Sequence, residues 1–130
     1  GLLAGDVQAM FDTLSTSIEH IKARRLRALG VTSAKRTAAL PDTPALSETV
    51  PGYEATSWQG VGAPKGTPPG IVERLNRAIN AALADAAVKA RIEATGYAPF
   101  VSSPAEFRAH IAEETAKWGK VIRTAGIHLN

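Results

Sequence analysis

Between Ser33 and Gly52 the chain carries Pro41, Pro44 and Pro51, and this punctuation constrains the fold more than any other feature. Proline has no N–H for a ladder or a helix interior, so the stretch reads as loop, with room for one helical turn after Thr43-Pro44. Structureless connections of about twenty residues are uncommon inside a compact domain. The segments on its two sides are therefore expected to belong to different lobes, with the loop crossing between them.

Ahead of the loop, Val7 to Phe11 is a short run with the character of a mostly buried strand, stopping at Asp12. Thr16 and Glu19 stand three apart before Ile21, a capping-box spacing, and predict a helix running to about Arg25. Leu26 to Thr32 reads as a second strand, in which Gly30 marks either close packing or a bulge. A strand, helix, strand unit normally makes a parallel pair with a right-handed crossover, which gives an α/β class. Tyr53 to Ala63, bounded by prolines, is a third extended segment.

The remainder is predicted to be helical. Ile71, Leu75, Ala78, Ile79, Ala82 and Leu83 fall at three- and four-residue spacings on one face. Asp85 is placed to cap a short helix carrying Val88 and Ile92 and ended by Gly96. Ser103-Pro104 with Glu106 opens a last helix, whose stripe of Phe107, Ile111, Trp118 and Ile122 stops at Gly126. Three short strands with flanking helices leave open sheet edges. Partner strands are expected elsewhere, in a missing N-terminal half or in a second copy.

Several chemistries are excluded by composition. With no cysteine there is neither a disulfide framework nor a thiolate zinc site, and an oxidising compartment is permitted. No apolar run approaches the roughly 20 residues that span a bilayer. Gly1 to Gly5 has no initiator Met and no basic n-region, which reads as a processed or truncated terminus. The formal net charge of +3, with Lys22, Arg24, Arg25 and Arg27 in one short stretch, raises the alternative of a small basic nucleic-acid-associated module. Nothing aromatic is interleaved to stack bases, and basic side chains at a helix end complement its dipole, so the solvated-end reading is preferred.

No catalytic set or cofactor site can be assembled from the sequence. His20, His110 and His128 lie on separate segments without metal-binding spacing, and the serines lack the elbow that exposes a nucleophile. Trp58 and Trp118 read as packing. One spot has binding chemistry: Asp12, Thr13, Ser15 and Thr16 lie between a strand end and a helix start, where N–H groups, dipole and hydroxyls converge on a place suited to a carboxylate. The residues leave two readings open there, a ligand site or a plain cap and turn.

Leu3-Ala4-Gly5-Asp6-Val7-Gln8-Ala9-Met10-Phe11-Asp12, then Ile21-Lys22-Ala23 and Leu26-Arg27-Ala28-Leu29-Gly30-Val31-Thr32-Ser33, resembles the tripartite tricarboxylate transporter receptor family, the Bug-type solute-binding proteins. The resemblance continues in order through Leu40-Pro41-Asp42-Thr43-Pro44, Pro51-Gly52-Tyr53-Glu54, Ser57-Trp58, Ala63-Pro64-Lys65-Gly66-Thr67-Pro68 and Glu114-Thr115-Ala116-Lys117-Trp118. It implies the C-terminal half of a two-lobed type II periplasmic binding fold, non-enzymatic, without cofactor or metal. Such a protein captures a small-molecule carboxylate in the periplasm and delivers it to membrane transporter subunits. Residues 1–52 would then be part of the second lobe with the interlobe loop, and residues 53–130 the crossing strand and C-terminal helices of the first. Asp12 would stand at the family's strand-end aspartate, with the hydroxyl residues after it facing the solute. The chain departs from the family pattern at Arg24, usually Gly, and at Gly70, commonly acidic.

Overall fold

In the computed structural model, residues 1–128 are described; Leu129 and Asn130, the end of the expected 53–130 region, lie outside the described residues. Four α-helices follow one another: α1 (Leu14–Lys22), α2 (Pro69–Ala84), α3 (Ala86–Ala94) and α4 (Pro104–Thr124). Short 3-10 turns occupy Leu2–Ala4 and Leu46–Glu48, the latter where Thr43-Pro44 leaves room for a turn. The chain divides into two compact units, Gly1–Gly62 with Asp85–Pro99, and Ala63–Ala84 with Phe100–Asn130.

The three expected strands take a different form among the described residues. Val7–Phe11, Leu26–Thr32 and Tyr53–Ala63 carry no ladder, and the one pairing among the described residues is an isolated parallel bridge between Val31 and Ala45. It is made by Val31 N–H to Pro44 O and Leu46 N–H to Val31 O, each at 2.9 Å. The physical reason is sparse pairing: besides that bridge, Ala55 N–H donates to Thr32 O at 2.9 Å between the second and third segments, and single bonds of this kind do not make the repeated register of a ladder. Gly30 shows the close packing the sequence allowed, since a Cβ there would sit 2.9 Å from Leu46 Cδ2.

In the first unit the buried apolar side chains are Ile18 and Ala45, 2% and 1% exposed, with Ser17 beside Ile18. α1 begins earlier than the Thr16–Glu19 spacing implies. Its N-cap is Thr13, Thr16 lies inside the first turn, and Glu19 pairs instead with Lys22 at 2.8 Å. The helix also ends at Lys22, short of Arg25, because Arg24 takes a left-handed conformation, φ 58°. α3 starts as expected on Asp85, whose Oδ1 accepts from Ala87 N–H at 2.9 Å and Val88 N–H at 3.0 Å. Gly96 follows it at φ 86°, tight against Leu14 of α1: a Cβ at Gly96 would lie 2.6 Å from Leu14 Cδ2.

In the second unit α2 packs on α4. Asn76 and Asn80 both donate to the Ser102 carbonyl, at 2.8 and 2.9 Å, tying α2 to the residue before the cap of α4. That cap is reciprocal: Glu106 N–H donates to Ser103 Oγ at 3.2 Å and Ser103 N–H to Glu106 Oε2 at 2.7 Å. The apolar face expected on α2 splits in two. Ile79 and Leu83 are half-buried with Val72 and Asn76, whereas Ile71 and Leu75 stay exposed. On α4, Ile111, Trp118 and Ile122 are likewise exposed.

Candidate ligand site

The turn from the extended residues 7–12 into α1 gathers the polar groups that the sequence singles out. Asp12 precedes the N-cap, so its carboxylate lies at the positive end of α1. It accepts from Thr16 Oγ1 at 2.9 Å and from Ser17 Oγ. The Thr16 hydroxyl also lies 2.6 Å from Thr13 O, and with a single proton it divides its donation between the two acceptors. These contacts hold the Asp12 carboxyl below its ordinary value, the Ser17 hydroxyl contributing most, then Thr16, against a small cost of burial, with the Thr13 N–H adding a little. Asp12 is therefore ionised at neutral pH and its charge is fixed in direction by two hydroxyls.

An open hollow of about 230 Å³ lies against this junction, lined by Leu2, Met10, Asp12, Thr16, Ser17 and His20 among others. Of the four residues chosen from the sequence, Asp12 and Thr16 line it together. Thr13, exposed, and Ser15, half-buried, belong to the same turn but do not line the hollow. Ser17 and His20 were left out of the sequence selection. His20 could have been found by spacing, since it stands four residues after Thr16 and so shares its helix face. Ser17 could not, because its reach back to Asp12 depends on where the helix starts.

The arrangement suits a small polar solute rather than a reaction. One carboxylate oriented by two hydroxyls, an imidazole and apolar walls that include Leu2 and Met10 offer polar partners and desolvation. Among the described residues no group of three His, Cys, Asp or Glu side chains is gathered to hold a metal ion. No helix of the structure is long and apolar enough to cross a membrane.

Comparison with known proteins adds four findings. Residues 1–127 match the model of the tripartite tricarboxylate transporter family receptor. The protein in the tcbD-tcbE intergenic region of Pseudomonas sp. is 41% identical over 123 residues, covering 93% of this chain and 37% of the relative. Protein BugT of Bordetella pertussis is 39% identical over 129 residues, 98% of this chain and 40% of its own length. The solved structure of R. palustris Rpa4515 with adipate aligns at a TM-score of 0.89 with 40% identity, over 97% of this chain and 42% of that one. The chain thus spans about two fifths of the length of these relatives.

Proposed function

The chain belongs to the tripartite tricarboxylate transporter receptor family, and from that premise we propose that it forms part of a periplasmic clamp that captures small carboxylates for a membrane transporter. The family is one of receptors, not of enzymes. The observation that carries the reading for this chain is the hollow at the start of α1, where Asp12, Thr16 and Ser17 are locked together beside His20.

In this reading residues 1–52 contribute to one lobe and its connecting loop, and residues 53–130 to the crossing segment and helices of the other. Asp12 does not take the solute carboxylate itself, since like charges repel. It orients the Thr16 and Ser17 hydroxyls and the waters around them, the Thr13 N–H is drawn to the same carboxylate, and Ser15 offers a first-turn N–H that lacks an acceptor within the helix. The solute closes the clamp by being desolvated between two surfaces. The exposed faces of Ile71 and Leu75 on α2 and of Ile111 and Ile122 on α4 support a further part of the reading. They would be covered by strands of the remainder of the fold, or by a second copy. Adipate, carried by the Rpa4515 structure, is a reasonable first ligand to try.

Calorimetric titration with saturated dicarboxylates of graded length tests this, using the chain alone and the chain complemented by the preceding segment of BugT. One-to-one binding in the complemented clamp is expected, weakened about tenfold by Asp12→Ala. If no mono-, di- or tricarboxylate binds either preparation, or if Asp12→Ala binds as tightly as the parent, the reading falls.

A further inference from the structure

The arginines of the turn that follows α1 do not line the solute hollow, although Leu26 between them does. Arg24 is the one non-glycine residue at positive φ among the described residues; Gly5, Gly52, Gly66, Gly96 and Gly126 fill the other left-handed positions. The backbone there ends the helix in an ordinary way, with Arg24 N–H donating to Ile21 O and Arg25 N–H to His20 O, both at 2.9 Å. Glycine would do this without strain, whereas a residue with a Cβ is strained in that region. A strained side chain where none is needed is an outlier that asks for a function outside the backbone.

A second observation supplies one. Arg24, Arg25 and Arg27 line an open hollow of about 460 Å³ together with Ile21 and Thr43. All three arginines are exposed, and none takes part in an ion pair among the described residues, while the neighbouring Lys22 is taken by Glu19. Three like charges around one concavity repel one another, and an anion bearing several carboxylates relieves that repulsion. The last carbonyls of α1 end at the same place, so the anion must be held by guanidinium forks, which match carboxylates in pairs. No aromatic side chain lines the hollow to stack a base.

We infer that the Arg24–Arg27 turn docks a carboxylate-rich segment of a partner protein, with Arg24 serving that contact at the expense of stability. The test is fluorescence anisotropy of a labelled oligo-glutamate peptide titrated with the chain at low and moderate salt, alongside thermal melting of each variant. Arg24→Gly keeps the turn, so it should weaken peptide binding by about fivefold while raising the melting temperature. Arg25→Ala with Arg27→Ala should weaken binding further. Lys65→Ala removes the same charge from the other unit and should leave the affinity as it was. The Lys65→Ala arm separates a contact at this turn from generic charge, and the melting curves show that weaker binding by Arg24→Gly is not a loss of fold. Unchanged peptide affinity in Arg24→Gly, or an equal loss in Lys65→Ala, would overturn the inference. So would tighter binding of duplex DNA or of phosphatidylglycerol vesicles than of the peptide.

Discussion

The stretch around α1 and the pair α2 and α4 solve the same problem differently. Around α1 the chain closes on itself: Ile18 and Ala45 are buried, the hydroxyls of Thr16 and Ser17 are spent on Asp12, and Arg36 grips Glu48 through two oxygens at 2.8 Å. In the pair α2 and α4, α4 begins with a reciprocal cap at Ser103 and Glu106, yet no side chain of either helix is fully buried. Helix caps need only residues a few positions apart, while burial needs a partner surface. Good helix ends are therefore no sign that a helix has found what it packs on.

The largest test of that contrast is an alanine at a buried and at an exposed isoleucine. Ile18→Ala should cost about 3 kcal/mol, since the side chain is 2% exposed and its removal leaves a cavity. Ile71→Ala, at a side chain 51% exposed, should cost less than about 0.5 kcal/mol. Equal losses in urea unfolding would mean that the two regions are not differently packed.

Gly96→Ala comes next. A side chain there meets both a left-handed backbone, φ 86°, and Leu14 Cγ and Cδ2 at 2.7 and 2.6 Å, and should cost about 2 kcal/mol. Leu14 begins α1, so the strain should reach Asp12. Its carboxyl should return toward the ordinary value as the Thr16 and Ser17 contacts loosen, which carbon-detected NMR titration would report. Leu14→Ala in the same chain should restore part of the loss. An Asp12 titration identical in Gly96→Ala and the parent would separate the junction from the packing beneath it.

On the other side of the comparison, Ser103→Ala removes one half of a cap and leaves Ser103 N–H still held by Glu106. It should cost about 1 kcal/mol of local helix stability, read as faster amide exchange in the first turn of α4. Protection lost evenly along α4 would contradict a role confined to the cap.

The smallest effect is the pH response of the loop 33–52. Hydrogen bonding to Arg36, then to the Ala45 N–H, lowers the Glu48 carboxyl from 4.5 to about 2. Because the folded value lies below the ordinary one, the stabilisation is present above about pH 4.5 and is lost as pH falls toward 2. Arg36→Gln should flatten that dependence in melting curves between those limits. An unchanged acid limb would show that the pair, which is exposed, contributes nothing measurable.

What the residues determine by themselves is local. The caps at Asp85 and Ser103, the end of α3 at Gly96, the stop at Gly126 and the turn after Pro44 were legible, because each rests on hydrogen bonds or dihedral freedom within a few positions of the chain. So was the nearness of Asp12 to Thr16, which stand on either side of one helix start. What the tertiary structure decided is everything that depends on a neighbour. Whether Val7–Phe11 or Tyr53–Ala63 is a strand rests on a partner that the segment does not contain. Which of two apolar rows on α2 faces α4 was settled by Asn76 and Asn80 reaching Ser102, a contact between segments that periodicity alone does not relate. Ser17 joined the site only because α1 starts at Leu14 rather than after Thr16, which the packing of Leu14 on Gly96 favours.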